Sequence, residues 1–278
     1  MKKLFVICAF FLLQACTPAP PPEVSMDTRM EQLPQHFVIK KPTSAPPYKT
    51  VLVFHGARKG DAWDARYKAV TDEIVNNGYA AIFVDMFKSR GQTGHAVFKG
   101  KILPKETSGD VMLAIEWAKT QDWIDTKNIY AWGYSFGGAT LMDALVYSKP
   151  GLKPLGLLDR PTKGAAGLNA IALISPWCKK DVYGFNIIAS THQNFGIKVP
   201  TLAVIPLKDT VSDQKLCQTI IARNIKEGFP AEVLKLDGAK HRFMFKTDAQ
   251  GRSEPEYDAK LAQKMKNKIF SFMKEMQK

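Results

Sequence analysis

Three short stretches of this chain carry residue types that together can do acyl-transfer chemistry. The first is Gly133-Tyr134-Ser135-Phe136-Gly137-Gly138. A serine with glycine two positions before and two after suits a turn so tight that its own backbone is strained. A helix beginning just after such a turn aims free N–H groups and a positive dipole end at any oxyanion forming there. A G-x-S-x-G arises by chance in roughly one chain in ten of this length. Its value here lies in context, with an apolar strand pattern before it and a helix pattern after it. The alternative is a glycine-rich turn without chemistry.

The second stretch is Pro206-Leu207-Lys208-Asp209-Thr210-Val211-Ser212-Asp213, which follows an apolar run. A carboxylate just past the C-terminal end of a buried strand is where an α/β enzyme presents an orienting acid. Asp209 lies nearest the strand end, whereas Asp213 is equally suited to capping the next helix. The third is Asp237-Gly238-Ala239-Lys240-His241-Arg242-Phe243, after the final strand pattern. A serine hydroxyl needs a base, and histidine can take and return a proton near neutral pH. Of the histidines at 36, 55, 95, 192 and 241, only His241 follows the last strand in a short loop. Ser135, Asp209 and His241 also occur in the chain order such a triad requires. His55 is the main rival, its bland role being a structural residue beneath the loop that follows it.

These residues need a scaffold, and the hydrophobic pattern describes one. Short apolar, β-branched runs at 36–40, 49–54, 79–84, 129–134, 171–174, 202–205 and 232–236 read as strands. Between them, residues 64–77, 107–120, 137–147, 213–227 and 258–278 show apolar spacing of three and four, as helices do. Alternation of this kind predicts an α/β fold, a mostly parallel central sheet with helices on both faces. Residues 149–167 are rich in Gly, Pro and Lys without periodicity and read as a surface loop, with a mobile flap as the alternative.

Composition limits the function classes. The 278 residues are 45% hydrophobic, which excludes wholesale disorder. Formal charge is +13, which admits an anionic partner. No nucleic-acid-binding motif is present, and lysines of the last helix pattern sit opposite an apolar face, as on a solvated packed helix. The basicity fits a domain held beside anionic lipid, with no nucleic-acid partner. No HExxH, CxxC pair or P-loop occurs, so neither metal nor cofactor is expected.

The N-terminus reads as an address. Met1-Lys2-Lys3 precedes an apolar run over 4–13, too short to span a bilayer, in the manner of a secretory signal peptide. Leu13-Gln14-Ala15-Cys16 resembles the bacterial lipoprotein box, which implies that Cys16 is acylated after removal of residues 1–15. The Pro-rich stretch from Thr17 reads as a semi-rigid tether, taken to extend over 16–30, with one catalytic domain over 31–278. In such lipoproteins an Asp after the acylated Cys resembles an inner-membrane signal. Thr17 in that place gives an exported, lipid-anchored envelope protein of the outer membrane as the expectation. Cys178 and Cys217 then remain, an even pair in an oxidising compartment and so expected to form a disulfide, with two buried thiols as the alternative.

Together, strand-HGAR, GYAAIFVD followed by SRG, GYSFGG, the KD loop and the GAKH loop resemble an α/β-hydrolase, nearest the dienelactone hydrolase family. The resemblance runs from about residue 49 to 245. It implies Ser135 as nucleophile, His241 as base and acid, and Asp209 as orienting acid. It also implies an oxyanion hole from the backbone N–H of Phe136 with that of Ala57 or Arg58. The cysteine pair resembles one in secreted relatives. Two departures stand out: founding members carry cysteine where Ser135 stands, and glutamate where Gly56 stands. Dienelactone is therefore not the expected substrate, and a small-molecule carboxylic ester or related acyl compound is. Arg90 could meet a substrate carboxylate, though pairing with Asp85 or solvent is the plainer role. A peptidase or acyltransferase would use the same three residues. A lipid-anchored binding protein on the same scaffold is the reading from a different class.

Overall fold

The computed structural model describes residues 22–180 and 187–278. In chain order the strands are β1 (Phe37–Lys40), β2 (Tyr48–Phe54), β3 (Ala80–Val84), β4 (Ile124–Tyr134), β5 (Ala170–Ile174), β6 (Thr201–Pro206) and β7 (Ala231–Leu236). The helices are α1 (Met26–Gln32), α2 (Ala65–Asn76), α3 (His95–Phe98), α4 (Pro104–Lys119), α5 (Phe136–Tyr147), α6 (Gln214–Lys226) and α7 (Ala259–Glu275). The sheet order is β1-β3-β2-β4-β5-β6-β7. Only β1 runs antiparallel to its neighbour.

The central strands are apolar throughout because both faces are covered. Every residue of β3, β5 and β6 is buried. On one face α2 and α7 meet through the Glu73–Lys266 ion pair. On the other, α4 packs on α5, and α5 and α6 share a turn at Ala189–Thr191. Helix α7 buries Ala262, Met265, Ile269, Phe272 and Met273 along one stripe. Each such side chain withdrawn from water contributes about 1.5–3 kcal/mol for the larger types.

Several boundaries move from the sequence reading. Residues 1–21, with the signal peptide, Cys16 and Thr17, lie outside the described residues. The expected tether over 16–30 ends earlier, because α1 is capped by Ser25, whose side chain accepts from the Thr28 N–H, and Val24 bridges to Leu157. Arg29 is buried, donating to the Ser89 carbonyl. The tether's last residues are thus part of the folded domain. Helix α4 starts three residues earlier than expected, since Pro104 suits a first helical turn and Glu106 accepts from the Leu103 N–H. The 149–167 loop is no flap: Leu157 is buried, and Gly109 of α4 leaves it the room a Cβ would fill.

Candidate active site

Strand β4 ends at Tyr134 and α5 begins at Phe136, so Ser135 alone makes the turn. It does so at φ 52°, ψ −114°, a conformation side chains avoid, at a cost of about 1–3 kcal/mol. The flanking glycines make this possible. A Cβ on Gly137 would strike the Phe54 carbonyl, and one on Gly133 the Leu141 side chain. The Ser135 N–H donates to the Ile174 carbonyl, and its own carbonyl accepts from the Trp177 N–H, so β5 and the loop after it clamp the turn.

The loops after β6 and β7 bring Asp209 and His241 to this serine. His241 Nδ1 lies 2.7 Å from Asp209 Oδ2, and His241 Nε2 lies 2.9 Å from Ser135 Oγ. A carboxylate oxygen only accepts, so Nδ1 carries the proton and donates to Asp209. Nε2 then has a lone pair and accepts from the Ser135 hydroxyl. The Asp209 side chain is fully buried. Its Oδ1 accepts from the N–H groups of Val211 and Ser212, and its Oδ2 also accepts from Gln214 Nε2 at 2.7 Å. Asp213 takes the other role open to it, capping α6 by accepting from the Leu216 N–H.

Gln214 and Ser212 were not singled out in the sequence. Ser212 Oγ donates to the Pro176 carbonyl and accepts from the Cys178 N–H. Cys178 is disulfide-bonded to Cys217 on α6. The bond therefore joins the loop after β5 to the helix whose first residue holds Asp209. An Asp-x-x-Ser-x-Gln spacing across a loop-to-helix junction was the available signal.

A cavity of about 580 Å³ opens over Ser135 and His241, lined also by Leu103, Phe136, Trp177 and Arg242. That is ample for a small organic ester. Ala57 and Arg58 line it as well. The Gly56 N–H is already taken by the Tyr67 hydroxyl at 2.5 Å. Phe136 opens α5, where N–H groups lack intrahelical acceptors. Tyr134 packs against His241, its ring 5.3 Å from the imidazole and its hydroxyl donating to the His241 carbonyl. Burial raises its pKa well above the usual phenol range.

His55 sits elsewhere, wholly buried under the loop after β2. Its Nε2 accepts from the Met86 N–H, and its ring packs on Phe83 and Phe87. Arg90 does not pair with Asp85. It reaches Asp110 on α4 with both terminal nitrogens and the carbonyls of Met86 and Glu106. Asp85 instead accepts from the N–H groups of Phe87 and Lys88. Among the described residues no cluster of side chains could hold a metal ion.

The model of the dienelactone hydrolase family matches residues 36–153, through the elbow and α5. Esterase 2 of Thermogutta terrifontis, phosphonylated by cyclosarin, superposes with a TM-score of 0.64 at 18% identity, over 86% of this chain and 88% of that one. The same esterase with propionate bound gives 0.63 at 17% identity, over 86% and 89%. A Klebsiella pneumoniae protein assigned to the dienelactone hydrolases gives 0.62 at 16% identity, over 86% and 92%. The fold is that of the α/β-hydrolases, and the stretch over residues 36–153 is similar to the dienelactone hydrolase family. No curated protein matches the sequence. Ser135, Asp209 and His241 all lie on loops at the C-terminal ends of strands, where sequence can change without disturbing the sheet.

Proposed function

We propose that this α/β-hydrolase cleaves carboxylic esters through an acyl-enzyme on Ser135. One observation carries the reading: the hydrogen-bonded run from Asp209 through His241 to Ser135 on the floor of an open cavity. The family match and the esterases of like fold support ester chemistry. Ser135 Oγ attacks the acyl carbon while His241 Nε2 takes its proton. Asp209 holds the imidazole orientation and stabilises the imidazolium. The N–H groups of Phe136 and of Ala57 or Arg58 receive the oxyanion, an effect worth about 3–4 kcal/mol per donor. His241 returns the proton to the departing alkoxide. Water then attacks the acyl carbon with His241 again as base, releasing the acid and regenerating Ser135. The strained turn serves this chemistry by presenting Oγ to the cavity without a rotameric search.

The signal peptide, the acylated Cys16 and the outer-membrane address remain part of the proposal, supported by the basic start and the apolar run over 4–13. The test of the enzyme reading is labelling with a fluorophosphonate. Wild type should label, and Ser135→Ala should not. An unlabelled wild type would leave the binding-protein reading in its place.

A further inference from the structure

Resting on the ester-hydrolase reading, we infer that the mouth of the cavity docks on an anionic lipid surface, so that the substrates are acyl esters presented by that surface. Two observations at one place carry this. The first is apolar. Phe98 and Val211 both line the cavity, yet are 62% and 54% exposed. Large apolar side chains at the rim of a site, turned mostly to solvent, mark a surface that meets another apolar phase. They stand on different elements, α3 and the loop after β6, and Trp177 and Leu103 line the same cavity.

The second observation is charge. The loops around this rim carry Lys59, Lys99, Lys101, Lys179, Lys180 and Lys208, all exposed. None of the six is in an ion pair among the described residues. The two loops bearing the first three are joined, the Gly94 N–H donating to the Gly60 carbonyl. Residues 92–103 contain no acid at all. Asp61, two residues after Lys59, pairs with Lys88. Helix α7, by contrast, ties Lys266 to Glu73 and Lys268 to Glu232, and it turns its apolar stripe inward. Basic residues that flank exposed apolar ones bind anionic bilayers by combining attraction to headgroups with shallow apolar insertion. Insertion of Phe98 and Val211 would seat the cavity mouth at the headgroup level, where ester carbonyls lie. A soluble anionic ester is the competing occupant.

The test uses residues 16–278 with Cys16→Ser, so that no acyl chain anchors the protein and every described residue is retained. Ser135→Ala is added for binding, so that turnover cannot change the vesicles. Sedimentation with phosphatidylglycerol–phosphatidylcholine vesicles should show binding that salt reverses, with little binding to phosphatidylcholine alone. Combined Lys59→Gln, Lys99→Gln and Lys101→Gln should lower the partition coefficient by about 100-fold, each lysine contributing roughly fivefold. The same three changes at Lys260, Lys264 and Lys274 on α7 should lower it by less than about fivefold. With Ser135 intact, the rim triple should slow hydrolysis of a long-chain ester held in the anionic vesicles, while leaving kcat/KM for a short soluble ester unchanged. Equal loss from the α7 triple, or no preference for anionic vesicles, overturns the docking surface. Preference for a soluble ester bearing a free carboxylate, without vesicle binding, assigns the rim to that occupant instead. These outcomes are independent of the enzyme reading: a protein that binds vesicles but resists the fluorophosphonate retains the surface and loses the esterase.

Discussion

Two buried histidines each have a carboxylate nearby, His241 at the cavity and His55 beneath the loop after β2, and only one is placed for proton transfer. His241 lies between Asp209, 2.7 Å away, and the Ser135 hydroxyl at 2.9 Å. His55 has Asp85 at 3.8 Å, but its Nε2 accepts a main-chain N–H from Met86 and its ring is sealed by Phe83, Phe87 and Tyr67. A backbone amide is far too weak an acid to pass its proton to an imidazole in a catalytic step. The difference lies in the partners at the two ring nitrogens, not in burial or in the mere presence of an acid. One imidazole sits between a side chain that can lose a proton and one that stabilises its gain. The other holds the β2 loop against the β3 loop.

The sharpest break in the comparison is kinetic. His241→Ala should lower kcat on a short nitrophenyl ester by about four orders of magnitude or more, since triad members act as a unit. Thermal stability should change little, because the side chain borders the cavity. Asp209→Asn should follow with a loss of roughly three to four orders. The amide cannot hold Nδ1–H, so the imidazole presents the wrong tautomer to Ser135. Retention of more than a tenth of the activity in either variant would unseat the proposed roles.

His55→Ala should do the reverse. It empties a packed site among aromatic rings and orphans the Met86 N–H, costing about 3 kcal/mol in unfolding free energy, read by urea titration. Its activity should stay within about tenfold of wild type. A variant as stable as wild type but inactive would show that the two histidines are not so divided. Gln214→Ala comes next, expected to reduce kcat by about tenfold. Asp209 keeps the N–H groups of Val211 and Ser212 but loses the amide that shares Oδ2 with His241 Nδ1.

Much of this division could be read from residue order alone. Ser135, Asp209 and His241 each follow an apolar β-branched run, and a parallel sheet gathers the ends of such runs at one edge. That is why residues 106 and 32 positions apart come into hydrogen-bond contact. His55 also follows such a run. Sequence alone could not tell which histidine faces the serine, because that depends on which strands are neighbours. What stayed illegible was long-range and side-chain specific. Arg90 meets Asp110, twenty residues away, where Asp85 was nearer in sequence. The Tyr67 hydroxyl claims the Gly56 N–H, and α1 docks through Arg29 on Ser89, sixty residues on. Polar pairs of this kind leave no periodicity behind, whereas buried strands and amphipathic helices do.

The finest test uses protons. Burial lowers the pKa of His55 below its ordinary 6.5, with the Asp85 carboxylate pulling the other way. As pH falls through about 6.5, an unfolded chain takes up a proton at this position and the folded chain does not. The unfolded state then binds more protons, so stability falls with pH below 6.5, and the contribution is fully present above it. One group gives a slope of at most about 1.4 kcal/mol per pH unit. His55→Gln removes the titrating group while keeping an acceptor for the Met86 N–H. Its unfolding free energy, measured from pH 7.5 to 5.5, should decline less steeply than that of wild type. Parallel curves would mean that His55 titrates alike in both states, and that its sealed position shields the ring from protons no better than water does.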